Sequence, residues 1–194
     1  MNSDLLLRAA DFAARAHAGQ LRKDADRIPF VAHPLAVGAL LASAGAEEEV
    51  VAAGFLHDTV EDTPTTPEDL KREFGERVAR LVQLVTHPLA PGPDTFQNRR
   101  RAYLQQIVDG KSRGAWLVAT ADKTHNLFSM RTAAEREGLA FWKNFRGGMA
   151  MRRDFFREFG ELAAASGFEN PLLAGFREEL EKWEAALPAE GEGS

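Results

Sequence analysis

Apolar and small residues recur every three to four positions along nearly the whole chain, the period of an amphipathic helix. Leu5, Leu6, Ala9, Ala13 and Ala16 form one stripe, which predicts a helix over 3–18 closed by Gly19. Residues 20–32 interrupt the period with a basic pair, a polar turn and Pro29, and read as a loop. Pro34 suits the first turn of a helix over 34–44, ended by Gly45. The next pattern runs over 46–62; acidic residues at its start favour the helix dipole, and Thr63-Pro64 stops it. Thr66 and Asp69 have the spacing of a capping box, and Gly75 separates that short helix from one over about 76–86. Three prolines and a glycine in 87–94 mark a loop. Helices follow at about 95–109, 113–135, 138–165 and 171–187, broken at Gly110, Gly138 and Gly167/Pro171, with a bend expected at Gly147-Gly148. The pattern holds no internal repeat and no convincing strand. It predicts an all-α fold, a compact multi-helix bundle forming one domain over 1–187, with a disordered tail over 188–194.

Composition narrows the chemistry. Hydrophobic residues make up 44% of the 194 and charged residues 27%, which suits a globular chain. No apolar run approaches the roughly 18 residues of a membrane span, and the N-terminal stretch mixes charges into its apolar pattern, so the expected compartment is the cytoplasm. The net charge of −5 argues against a surface that grips many nucleic-acid phosphates, though not against a local basic pocket. With no cysteine, disulfides, thiol catalysis and Cys-ligated zinc are excluded. A metal site here must use imidazoles and carboxylates, which suit Mn, Zn, Fe or Co. Oligomeric state stays open, a homodimer included.

The stretch GFLHDTVEDT, residues 54–63, concentrates the candidate chemistry. VVAAG precedes it, so it reads as buried, yet it carries His57, Asp58, Glu61 and Asp62. Burying that much charge costs several kcal/mol per ion unless something pairs with it. On one helix His57 and Glu61 share a face, as do Asp58 and Asp62. His33, just before Pro34, and Asp122, in an apolar-flanked segment, are candidates to close a shell with His57 and Asp58. Two imidazoles and two carboxylates suit a divalent cation. Each piece also has a plainer explanation. The acidic pair can cap or solvate a helix end, Asp122 can pair with Lys123 or Arg131, and His33 can be a helix-start residue. His17, His87 and His125 read as structural or solvent-facing.

The order His … His-Asp … Asp is similar to the HD superfamily of metal-dependent phosphohydrolases. FAARAHAGQLRKD, PFVAHPLAVGALL, AAGFLHDTVEDTPTTPEDLKREFG and ADKTHNL further resemble the hydrolase domain of the Rel/SpoT alarmone enzymes, over about residues 3 to 165. Chain length and the RKD and HDTVEDT wording look most like the small, free-standing alarmone hydrolases of the metazoan SpoT homologue type. The resemblance implies an HD-domain bundle with one Mn(II) held by His33, His57, Asp58 and Asp122. It implies Glu61 and Asp62 as the catalytic carboxylates. A cation acidifies water and polarises a phosphoryl oxygen; Glu61 can hold or deprotonate that water, and Asp62 can position the same water or a second one.

The family substrate is ppGpp or pppGpp, which loses its 3′-pyrophosphate to give GDP or GTP. Arg22 and Lys23 match the family's basic pair for that anionic ligand. Arg100 and Arg101, within the run 99–101, are candidates for the distal phosphate, although successive arginines on a helix point in different directions. Asn126 matches the family's nucleotide-contacting Asn, and Ser129 lies one further turn on. Two positions depart from the family pattern. Ala119 stands where many members have Lys, and Phe30 where many have Tyr. No residues remain for a synthetase domain, so the expected role is alarmone destruction alone. The alternatives are another HD phosphohydrolase, acting on the 2′-phosphate of NADPH or on a nucleotide, and a non-catalytic alarmone-binding module. The intact Glu61-Asp62 pair argues against the module.

Overall fold

The computed structural model describes residues 3–22, 27–89, 95–138, 141 and 149–187. Its elements in chain order are α1 (Ser3–Ala16), α2 (Ala32–Ser43), α3 (Glu48–Leu56), α4 (Thr59–Asp62), α5 (Pro67–Phe74), α6 (Glu76–Val85), α7 (Phe96–Gly110), α8 (Arg113–Glu137), α9 (Met149–Ala165) and α10 (Leu173–Ala185). The fold is all-α, as the helical period predicts. Among the described residues the only β pairing is an isolated bridge between Leu21 and Pro29 within the first loop. No helix of the described residues is long and apolar enough to cross a membrane. Lys23, the Gly147-Gly148 bend and the tail over 188–194 lie outside the described residues.

Local signals set several boundaries. The Thr66 hydroxyl accepts from the Asp69 amide at 3.2 Å, and Asp69 Oδ2 accepts from the Thr66 amide at 3.0 Å, which completes the predicted capping box of α5. Gly75 joins α5 to α6 with φ of 87°, a conformation that costs a side chain dearly. Gly110 does not break its helix. It is the last residue of α7, where an added Cβ would meet Leu84 Cδ2 at 2.6 Å, and Lys111 takes the left-handed turn instead.

The core is built around α3 and α8. α3 packs on α1, α2, α6 and α8, and α8 also packs on α2 and α10. Val50, Val51, Ala52, Ala53 and Leu56 of α3 are buried together, which accounts for that helix having no polar face. α2 and α3 cross at glycines. A Cβ at Gly54 would lie 2.3 Å from Leu41 Cδ1 and 3.4 Å from Gly38 Cα, and one at Gly38 would lie 2.2 Å from the Phe55 ring. The two backbones therefore touch, which draws His33 at the start of α2 towards His57 at the end of α3.

The helix expected over 46–62 is broken. α3 ends at Leu56, His57 and Asp58 form a turn, and α4 adds a single turn. The buried Thr59 hydroxyl donates to Leu56 O at 2.7 Å and the Thr63 hydroxyl to Thr59 O at 2.6 Å, so side chains serve carbonyls around the break.

Candidate metal centre and adjoining cavity

Four side chains from three parts of the chain meet at the ends of α2 and α3 and in the middle of α8. His33 Nε2 lies 3.4 Å from Asp58 Oδ2 and 3.1 Å from Asp122 Oδ1. His57 Nε2 lies 3.0 Å from Asp58 Oδ1 and 3.6 Å from Asp122 Oδ1. The two Nε2 atoms face each other at 3.2 Å. His33, His57 and Asp122 are 3%, 4% and 7% exposed, so these groups cannot rely on water for compensation.

Hydrogen bonding behind the imidazoles fits them as ligands. His57 Nδ1 is 2.9 Å from Gly54 O, and a carbonyl only accepts, so Nδ1 carries a hydrogen and Nε2 is the nitrogen turned to the cluster. His33 Nδ1 is 2.8 Å from His125 Nδ1. Burial, and then the neighbouring His33, push His125 down to about 4, so it stays neutral and can accept from His33. His125 therefore backs a ligand-like histidine instead of facing solvent. Ligand atoms of His33, His57 and Asp58 lie within 4.8 Å of one another, so the donor set fits a divalent cation.

The electrostatics favour added positive charge. Burial opposes charge on His57, but Asp58 and Asp122 outweigh it and hold its pKa well above the usual value. Burial likewise opposes ionisation of Asp122, yet Lys123 and the two histidines hold its carboxyl well below the usual range. Lys123 Nζ donates to Asp122 Oδ2 at 2.6 Å, and Asn126 Nδ2 donates to Asp122 Oδ1 at 2.7 Å. One of the two pairings suggested for Asp122 is thus present. Arg131 instead bonds Glu179 and Glu135.

Glu61 and Asp62 sit on α4 beside this cluster, in contrasting settings. Glu61 Oε2 is 3.0 Å from His87 Nδ1 and accepts from the His87 amide at 3.2 Å. Those bonds outweigh burial and lower the Glu61 pKa. Asp62 is raised by burial, then by the charges of Asp58 and Glu61. Its backbone carbonyl accepts from Gln20 Nε2 at 2.8 Å, and Gln20 also contacts His17 Nδ1 at 2.8 Å.

A cavity of about 650 Å³ adjoins the cluster. Arg22, Asn126 and Ser129, three of the expected substrate contacts, line it. Arg100 and Arg101 do not. Arg100 pairs with Glu158 and packs over Phe155, and Arg101 is exposed. Among the described residues, the positive charges that reach the cavity with Arg22 are Lys123 and Arg152. Neither was legible as a site residue, although Lys123 adjoins Asp122 in sequence. Lys123 is 5% exposed, its Nζ lying 4.4 Å from the Tyr103 ring centroid, and Arg152 lies over Phe96 at 5.4 Å. Phe30, Phe96, Phe141, Phe155 and Phe156 supply aromatic wall. Ala119 is fully buried in the core and does not line the cavity.

Comparison with known proteins places this arrangement. An HD-domain family model matches residues 9–90. The human guanosine-3′,5′-bis(diphosphate) 3′-pyrophosphohydrolase MESH1 is 45% identical over 125 residues, covering 63% of this chain and 67% of that protein. The Xenopus tropicalis MESH1 is 40% identical over 136 residues, covering 68% and 73%. A solved structure of a metazoan ortholog of SpoT that hydrolyzes ppGpp superposes with a TM-score of 0.72 at 26% identity, covering 96% of this chain and 99% of that one. The Listeria monocytogenes protein lmo0812 follows at 0.67 and 28%, covering 80% and 98%. With relatives this similar over two thirds of their length, and with its His and Asp side chains gathered as described, the chain belongs to the HD-domain family, in the group of the MESH1 hydrolases.

Proposed function

We propose that this protein is a metal-dependent guanosine-3′,5′-bis(diphosphate) 3′-pyrophosphohydrolase built on a single HD-type domain. The observation that carries it is the juxtaposition of a buried two-His, two-Asp cluster with a cavity holding Arg22, Lys123 and Arg152 among aromatic walls. His33, His57, Asp58 and Asp122 would hold one divalent cation, Mn(II) in this assignment, and the relatives' named activity supports the substrate class. When bound, the cation supplies charge neutralisation at a phosphoryl oxygen and acidifies water.

The chain's own residues divide the remaining work. Arg22, Lys123 and Arg152 neutralise the phosphates, and phenylalanine rings such as Phe30 and Phe155 offer faces to the purine. Asn126 holds Asp122 in place and lines the cavity. Glu61, kept ionised by His87, accepts a hydrogen bond from the attacking water and orients it. Asp62, with its raised pKa, is the better proton acceptor of the pair. Water attacks the phosphorus attached to the ribose 3′-oxygen. A bond from water oxygen to phosphorus forms, the bond from phosphorus to O3′ breaks, and O3′ takes up a proton, giving GDP and pyrophosphate from ppGpp.

The test is incubation of ppGpp with the purified protein and Mn(II), with products separated by anion exchange. GDP and pyrophosphate are expected, and both are lost with Asp62→Asn or a chelator. Intact ppGpp refutes the assignment, and orthophosphate release from NADPH in its place supports a 2′-phosphatase.

A further inference from the structure

His87 opens the loop after α6 and lines the cavity. Its place is firmly set. The Thr86 hydroxyl donates to Val82 O at 2.9 Å, and Gln106 Nε2 donates to Thr86 O at 2.7 Å, tying the loop to α6 and α7. The His87 ring stacks on Tyr103 with centroids 4.4 Å apart and planes 21° apart. Tyr103 is itself fully buried, so the stacking surface is rigid.

Glu61 has no such support of its own. It stands on a one-turn helix and its side chain is 39% exposed. A glutamate in that setting samples several rotamers at little cost. Here one oxygen, Oε2, receives both the His87 backbone N–H and the ring Nδ1. An ionised carboxylate only accepts, so Nδ1 carries the hydrogen and both contacts are donations to that oxygen. Oε1 is left to face another partner. Rotating the imidazole to release Oε2 would break its stack on Tyr103.

We propose that His87 is a positioning residue for Glu61, locking its carboxylate through Oε2 so that Oε1 orients the attacking water. The role rests on the hydrolase function proposed above. Without the lock, Glu61 spends most of its time away from the productive geometry, and small misplacements of a reacting group cost one to two orders of magnitude in rate. The loss falls on kcat, because the phosphate contacts proposed above are other residues of the cavity wall, Arg22, Lys123 and Arg152.

The experiment compares His87→Ala, His87→Asn, His87→Phe and Glu61→Gln, together with the double variant His87→Ala/Glu61→Gln, on ppGpp with Mn(II). Mn(II) affinity is measured by calorimetry and folding by thermal unfolding. His87→Ala is expected to lower kcat about tenfold or more with KM and Mn(II) affinity within about twofold. Asn puts an amide donor close to the Nδ1 position and is expected to recover kcat to within about threefold of wild type. Phe keeps the stack on Tyr103 without the donor, so it lowers kcat like Ala even if Ala perturbs the loop. In the Glu61→Gln background the His87 change is expected to cost little more, because both act through one group. A rise in KM with kcat unchanged, or a loss that adds in full to Glu61→Gln, overturns the role. An active wild type whose kcat survives His87→Ala and His87→Phe overturns this role alone, whereas a wild type that leaves ppGpp intact overturns the hydrolase function and this role with it.

Discussion

Gly54→Ala tests whether the close crossing of α2 and α3 holds the candidate metal ligands in register. The new methyl would sit 2.3 Å from Leu41 Cδ1, against an optimal carbon–carbon distance of about 3.5–4.0 Å. Leu41 is fully buried, so its side chain has nowhere open to swing, and Gly38 Cα closes the other side at 3.4 Å. Overpacking of this kind costs about 1–3 kcal/mol. Alanine is the better helix former by about 1 kcal/mol, which offsets part of that. The net loss is about 1 kcal/mol, a fall in Tm of roughly 2–4 °C for a chain of this size. Relief requires α2 and α3 to move apart, and His33 and His57 are carried on their facing ends, with His57 also bonded to Gly54 O. Mn(II) affinity is therefore expected to fall by about tenfold, as it does when outer partners of metal ligands are disturbed. Calorimetric unfolding of the metal-free protein and Mn(II) titration read the two effects separately. Gly175→Ala in α10 is the control, because an added Cβ there meets nothing within 4 Å. It is expected to raise Tm slightly and leave Mn(II) affinity alone. A Gly54→Ala protein with unchanged Tm and unchanged affinity would refute the claim that this crossing sets the ligand geometry.

Other outcomes follow from the same contacts. His125→Ala removes the partner of His33 Nδ1 and is expected to weaken Mn(II) binding about 10–100-fold in calorimetry, with a far-UV spectrum like wild type. Chelation is expected to abolish turnover and lower Tm, and adding Mn(II) at 100 times its Kd to restore about 2.7 kcal/mol of stability by mass action. Tyr103 is pushed up to about 12 by burial, so its contribution is fully present below pH 10 and is lost as pH rises towards 12. A rise from 10 to about 12 corresponds to about 2–3 kcal/mol, seen as a falling Tm of the metal-free protein above pH 10. Lys123, held charged by Asp122 against its burial, acts in the same direction, so Tyr103→Phe flattens only part of that slope.

Local features of this chain were readable without coordinates. The α1 stripe, the Thr66–Asp69 box and the all-α character depend on neighbours within one or two turns, and such neighbours are set by helix period and side-chain chemistry. Four candidate ligands were also readable, because a buried cluster of charge needs compensation wherever it falls. The turn at His57-Asp58 was not. The helical pattern continues across it into Val60, and the Thr59 hydroxyl that serves Leu56 O at the break has nothing in the sequence to mark it. Distance along the chain hid the rest. His125 meets His33 across 92 residues, His87 meets Glu61 across 26, and Arg152 reaches the cavity from α9. Arginines 100 and 101 looked equally suited to a phosphate, but the direction of each side chain depends on how α7 lies against α9. A residue's type and period fix what it can do locally. Which groups face one another across the molecule follows from helix packing, because burial is shared among elements that are far apart in sequence.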